Sequence, residues 1–199
     1  MKNKNIFIAC DSSNISKVRE IIQKSKNTKI NVGYKFGLEF LNSKNGRFFL
    51  SKLKKKIIFA DLKLHDIPNT CVSAIKAIKD LKINYLTIHI SSGLEALEAC
   101  KKISGKTKLI GVTILTSLDN KSLKEIGFDK KVKDLVIHQG KLASKAKLDA
   151  VVCSAQEVNI IKKVFKKEII TPGIRINSKA NDQKRILTPK QAYKNGSDW

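Results

Sequence analysis

Asp61, Lys63 and Asp66 bring two carboxylates and an ammonium close together in the stretch Ile57-Ile58-Phe59-Ala60-Asp61-Leu62-Lys63-Leu64-His65-Asp66-Ile67-Pro68-Asn69-Thr70, a combination that could move a proton or stabilise a developing charge. The apolar run from Ile57 reads as a strand. Period-two alternation then aims Asp61 and Lys63 at one face of it. Asp66 follows in a loop, and Pro68 suits the first turn of a helix. On a surface such an ion pair contributes about 0 to 1 kcal/mol. The apolar run before Asp61 predicts burial instead, and buried charges are costly unless paired and are candidates for function.

Other strands end in the same way. Asn5 to Cys10 reads as a first strand closing on Asp11, with Ser12, Ser13 and Asn14 capping a helix from Ile15 to Lys24. Asn31 to Tyr34 gives a second strand closing on Lys35, followed by a helical region from Gly37 to Lys54 that the cluster Asn42 to Gly46 interrupts. The stretch holding Asp61 is the third strand, with a helix from Asn69 to Leu81 whose Val72, Ile75, Ile78 and Leu81 repeat at helical spacing. Tyr85 to Ile90 is a fourth strand, with a helix Leu94 to Ile103, and Lys108 to Leu115 is a fifth, followed by Thr116 and a long loop. Helix Val132 to Lys147, strand Ala150 to Cys153 ending at Ser154, helix Gln156 to Phe165 and strand Glu168 to Thr171 follow. The last strand runs into Pro172-Gly173-Ile174-Arg175. A polar loop, Asn177 to Lys184, precedes a final helix from Pro189 to Lys194.

Seven strand and helix alternations argue for a parallel sheet covered by helices. Seven is one short of a (β/α)₈ TIM barrel, and the chain stops at Trp199, where an eighth strand should begin. The expectation is a single barrel domain over residues 1–199 that is C-terminally incomplete, with the eighth strand missing. In such a barrel the carboxyl ends of the strands converge on one face. Asp11, Lys35, Asp61, Lys63, Asp66, Thr116, Ser154 and Arg175 then share a site, the guanidinium suited to a phosphate.

Composition narrows the classes. A net charge of +23 raises a nucleic-acid partner. The basic residues are nearly all lysine and are spread over every predicted helix. Only 6% of residues are aromatic, whereas proteins that read bases lean on arginine and stacking. A solvated lysine-rich surface is the preferred reading, with no specific nucleic-acid partner. No apolar run approaches the roughly 18 residues of a membrane span, and the N-terminus lacks a signal-peptide core. A soluble cytoplasmic protein without a membrane partner is expected. Cys10, Cys71, Cys100 and Cys153 are scattered, and His65, His89 and His138 share no ligand spacing, so reduced buried thiols and no metal site are expected. Phe36, Phe40, Phe48 and Phe49 read as packing residues.

Asp61-x-Lys63-x-x-Asp66-Ile67-Pro68-Asn69-Thr70 resembles the signature of the bacterial type of orotidine 5'-phosphate decarboxylase. Cys153-Ser154-Ala155-Gln156-Glu157 and Thr171-Pro172-Gly173-Ile174-Arg175 resemble two further motifs of that family, in family order. The resemblance implies decarboxylation of orotidine 5'-monophosphate to UMP in pyrimidine synthesis, without metal or organic cofactor. It implies that Lys63 protonates the C6 carbanion, that Asp61 lies beside the departing carboxylate, and that Lys35, Asp61, Lys63 and Asp66 form a charged array. By the same resemblance Asp11 and Lys35 contact the ribose region, Thr116 lines the pocket, Ser154 bonds the pyrimidine, Arg175 binds phosphate and Gln183 helps close over it. Asp66 and Thr70 reach a neighbour's site in a homodimer. The alternatives are a related sugar-phosphate decarboxylase or aldolase, an inactive fragment, and, outside the enzymes, a basic nucleic-acid-binding protein.

Overall fold

A computed structural model describes residues 4–26, 28–174 and 187–199. In chain order the elements are β1 (Asn5–Ala9), α1 (Ile15–Lys24), β2 (Asn31–Phe36), α2 (Leu38–Leu41), α3 (Gly46–Lys52), β3 (Ile57–Leu64), α4 (Pro68–Ala77), β4 (Tyr85–His89) and α5 (Leu94–Ile103). They continue with β5 (Lys108–Val112), α6 (Asn120–Glu125), α7 (Val132–Lys145), β6 (Ala150–Val152), α8 (Val158–Val164), β7 (Glu168–Ile170) and α9 (Pro189–Asn195). Each strand pairs in parallel with the next, giving one sheet in the order β1 to β7. Helices that return the chain to the start of the next strand are what make an all-parallel order possible.

Local chemistry sets the boundaries. Asn14 caps α1 by accepting the Lys17 N–H at 3.1 Å. Pro68 opens α4 within its first turn. The region from Gly37 to Lys54 is two short helices, α2 and α3, because the turn between them brings the Phe40 carbonyl against Gly46. A Cβ on Gly46 would lie 1.9 Å from that oxygen. The helix expected from Asn69 to Leu81 ends at Ala77, and a 3-10 turn over Lys79–Leu81 completes it. The long loop expected after Thr116 contains α6, which Asp119 caps by accepting from the Ser122 N–H and hydroxyl, both at 2.9 Å.

Two apolar layers result. Outside the sheet, Phe36, Phe40, Leu50, Leu86, Ile88 and Leu97 pack between strands and helices. Inside it, Phe59, Tyr85, Ile110, Ala150 and Ile170 form a second cluster with Phe7 and Trp199. Phe7 stacks on Trp199 with centroids 4.1 Å apart and meets Phe59 edge-on at 4.8 Å. These rings floor the interior and leave its other end open for polar groups. Of the four phenylalanines expected to pack, Phe48 is the exception, 66% exposed on α3.

The tail reaches the edge of β7. Asp198 N–H donates to the Ile169 carbonyl at 2.8 Å and Thr171 N–H donates to the Trp199 carbonyl at 3.0 Å. Among the described residues, the bonds from the tail to Asn5 of β1 each involve a side chain: the Asn5 side-chain amide donates to the Asp198 carbonyl at 3.1 Å, and the Tyr193 hydroxyl donates to the Asn5 carbonyl. An apolar groove of about 750 Å³ remains between β1 and β7, lined by Ile6, Phe7, Ile170, Ile174 and Tyr193.

Gly33 lies opposite Phe7 in the β1 to β2 register, and a Cβ there would sit 2.5 Å from the Phe7 ring. Trp199 and Phe59 block the ring's retreat. Gly33→Ala is therefore expected to lower stability by about 1 to 3 kcal/mol through overpacking. The urea midpoint would fall with little change in slope, and the emission of Trp199, the single tryptophan, would shift. An unchanged midpoint would contradict this packing.

Candidate active site

Asp61 is buried near the carboxyl end of β3. The register of β3 against β4 shifts between Ala60 and Leu64, and Lys63 has a left-handed backbone, φ 49°. Such a conformation in a non-glycine residue costs on the order of 1 to 3 kcal/mol and persists only where the surroundings enforce it. Simple strand alternation, the basis for expecting Asp61 and Lys63 on one face, is thus interrupted between them. They meet all the same, with Lys63 Nζ 2.9 Å from Asp61 Oδ2. Thr87 of β4 accepts the Lys63 N–H at 2.8 Å and donates to Asp61 Oδ1 at 3.1 Å.

Lys35 joins this pair to Asp11. β2 runs to Phe36, so Lys35 lies inside the strand rather than after it, in register with Ala9 and Phe59. Its ammonium is 3.1 and 3.2 Å from the two Asp11 oxygens and 3.5 Å from Asp61 Oδ2. Asp11, Lys35, Asp61 and Lys63 therefore form a row of alternating charge across β1, β2 and β3. Side-chain exposure is 51% at Asp11, 24% at Lys35, 12% at Asp61 and 35% at Lys63. The deepest charge is the carboxylate, and it is the one with an ammonium on either side.

The row lines a cleft of about 330 Å³ with an apolar floor that includes Phe59, Val112 and Ile170 and a rim over Thr171 to Ile174. Thr116 lines the same cleft. Asp66 and Thr70 are exposed and do not line it; Asp66 Oδ1 accepts the Ile67 N–H at 2.7 Å. Ser154 is fully buried behind Cys153, its hydroxyl accepting the Gln156 N–H at 3.3 Å, and Cys153 rather than Ser154 lines the cleft. Arg175 and Gln183 lie outside the described residues. A larger groove of about 820 Å³ lies between α1 and α3 on the outer surface and has no carboxylate in its lining.

Two groups near the row were not singled out from the sequence as site residues. One is Thr87. The other is His89, whose ring stands 5.0 Å from that of His65. Burial, helped by the positive Lys63 and by His65, pushes the His89 imidazole down to about 4, against the pull of Asp61. The signal for both was present: Tyr85, Thr87 and His89 alternate on β4, and Tyr85 faces the interior. No group of three or more His, Cys, Asp or Glu side chains that could hold a metal occurs among the described residues.

The model of the orotidine 5'-phosphate decarboxylase / HUMPS family matches residues 4–199. The chain belongs to that family. It is 42% identical over 200 residues to the orotidine 5'-phosphate decarboxylase of Wolbachia pipientis subsp. Culex pipiens, covering 98% of this chain and 87% of that protein. The Coxiella burnetii (strain RSA 331 / Henzerling II) protein of the same name is 44% identical over 170 residues, 80% of this chain and 72% of that protein. Among solved structures, the orotidine 5'-phosphate decarboxylase of Lactobacillus acidophilus superposes with a TM-score of 0.83 at 30% identity, over 98% of this chain and 88% of that one. The Methanocaldococcus jannaschii enzyme, complexed with the inhibitor BMP, gives 0.78 at 20% identity, over 98% and 86% of the two chains, a likeness of fold. The seven-stranded sheet of this family member is thus the frame of a TIM barrel.

His89 makes stability depend on pH. The unfolded chain protonates this imidazole near its ordinary value of 6.5, the folded chain only near 4. Between these values the unfolded state binds more protons, so this contribution to stability is complete above about 6.5 and is lost as pH falls towards 4. Denaturant midpoints measured across that window should fall more steeply for the wild type than for His89→Gln. Equal slopes would contradict the burial of a neutral ring.

Proposed function

We propose that this chain decarboxylates orotidine 5'-monophosphate to UMP and CO₂, a step of de novo pyrimidine synthesis, with Lys63 as the proton donor to C6. Family membership supplies the reaction. The observation that carries the residue roles is the row Asp11, Lys35, Asp61, Lys63 in a cleft at the strand ends.

The C6 to carboxylate bond breaks, CO₂ leaves, and the electron pair stays on C6. The Lys63 ammonium transfers a proton to that carbon and regains one from solvent. An ammonium fixed beside C6 stabilises charge that develops only on the way to the carbanion, which raises the rate rather than merely tightening binding. At about 4 Å and an effective dielectric of 20, such a pair has roughly 4 kcal/mol of Coulomb attraction. Asp61 is on the other side of that ammonium and faces the departing carboxylate. Like charges placed there favour the loss of CO₂, provided that distant contacts hold the substrate in place.

Asp11 and Lys35, at the outer end of the row, take the ribose hydroxyls, and Thr116 borders the pyrimidine. Ser154 bonds the pyrimidine after its hydroxyl turns from the Gln156 N–H towards the cleft. Arg175 holds the phosphate and Gln183 closes over it. Asp66 and Thr70 serve the site of a second copy in a cytoplasmic homodimer. Their exposure outside the cleft of their own chain supports that reading.

Lys63→Ala is expected to lower turnover of orotidine 5'-monophosphate by about 10² to 10⁴-fold, with UMP followed by chromatography. Turnover near that of the wild type would remove the proton-donor role, and turnover of a sugar phosphate instead would remove the substrate. Subunit sharing has its own test. Co-refolding inactive Lys63→Ala and Asp66→Ala chains in equal amounts should restore about a quarter of wild-type activity, because a two-fold hybrid dimer holds one intact site. No recovery from hybrid dimers would place Asp66 outside the neighbour's chemistry.

A further inference from the structure

Thr87 is fully buried in the middle of β4, on the interior face of the barrel and directly behind the Asp61 and Lys63 pair. Its hydroxyl stands where the ladder between β3 and β4 is interrupted, between Ala60 and Leu64. There the N–H of Lys63 donates to Thr87 Oγ1 at 2.8 Å. The bond gives a partner to a backbone donor that would otherwise be left in the interior, at the residue with φ 49°. Because Oγ1 accepts from that N–H, the one proton of the hydroxyl is free to point elsewhere, and it points to Asp61 Oδ1 at 3.1 Å. Asp61 is thereby divided: Oδ1 goes to Thr87, and Oδ2 is left to the Lys63 and Lys35 ammonium groups at 2.9 and 3.5 Å. The β-branched side chain restricts χ1 and holds the hydroxyl in this bridging place.

We propose that Thr87 is a positioning residue for the decarboxylation. One buried hydroxyl fixes both the left-handed backbone from which Lys63 reaches C6 and the orientation of the carboxylate that faces it. The inference rests on the reading of Lys63 as proton donor. It adds a group that touches no substrate and acts through the two that do.

The full chain carrying Thr87→Val, Thr87→Ser or Thr87→Cys tests it with orotidine 5'-monophosphate. Thr87→Val keeps the shape and removes both hydrogen bonds, and kcat should fall about 10 to 100-fold, the effect of a small misplacement of a reacting group, with KM changed less than about threefold. Thr87→Ser keeps the hydroxyl and should restore kcat to within about threefold of wild type. If Thr87→Val fails to fold, Thr87→Cys, with a weak donor and a weak acceptor, should fall between serine and Lys63→Ala in kcat. In the Lys63→Ala background Thr87→Val should lower the residual rate by a smaller factor than it lowers kcat in the wild type, since the part of its effect that passes through Lys63 is gone and only the part through Asp61 remains.

Amide exchange at Lys63 gives a readout free of activity: slow in the wild type and in Thr87→Ser, fast in Thr87→Val. Wild-type kcat in folded Thr87→Val, or in folded Thr87→Cys where the valine variant does not fold, would overturn the proposal and leave the function standing. An equal fall caused by Thr87→Val with and without Lys63 would overturn it too. A wild type inert towards orotidine 5'-monophosphate would overturn the function, and the role of Thr87 with it.

Discussion

The Asp61 carboxylate lies in the interior of the sheet between two ammonium groups, and the architecture of this family member is organised around that placement. A carboxylate taken out of water is tolerated only where cations and hydrogen-bond donors replace the lost hydration. Here Lys35 comes from the neighbouring strand on one side, Lys63 from the same strand, and the Thr87 hydroxyl from the strand on the other side. Lys63 is local, two residues along β3, but Lys35 and Thr87 are not. The parallel order β2, β3, β4 brings them together, and that order depends on the helices that carry the chain from one strand to the next.

The same barrel that presents charge at one end packs aromatic rings towards the other. Phe7, Phe59, Tyr85 and Trp199 floor the interior below Asp61 with rings, and the charged row faces the cleft above them. A low-dielectric floor strengthens every charge interaction above it. The floor also draws on both ends of the sheet, because Phe7 belongs to β1 while Trp199 hydrogen-bonds along β7. Closing the ring of strands and shaping the site are therefore parts of one packing problem.

The strand order, the places where charges gather and most helix limits were legible in the sequence, because short apolar runs and capping residues are local signals. Asn14 before α1 and Pro68 before α4 are examples. Asp11, Lys35, Asp61 and Lys63 were legible as strand-end charges, and the structure brings the four into one row. What alternation could not convey is the bulge: a left-handed lysine answered by a threonine 24 residues away depends on register, which is a tertiary property. α6 was missed although Asp119 is a capping residue, since its six residues have little apolar period to read. Phe48 was taken for packing on residue type, yet it faces outward on α3. Ser154 was expected at the site as a strand-end residue and by its motif; the structure has it buried, its hydroxyl accepting the Gln156 N–H behind Cys153.

Under the proposed mechanism an ammonium at position 63, rather than the shape of the side chain, drives the reaction. Replacing Lys63 by cysteine and alkylating it with 2-bromoethylamine rebuilds an ammonium on a side chain of lysine length. Iodoacetamide on the same variant gives a neutral side chain of similar bulk. The four native thiols are buried, and burial pushes Cys10 and Cys100 up to about 12; the unsubstituted chain treated with the same two reagents controls for Cys153, which lines the cleft. Turnover of orotidine 5'-monophosphate should return with the aminoethyl group and stay at the level of the unmodified Lys63→Cys variant with the neutral one. Equal activity in the two adducts would contradict the claim.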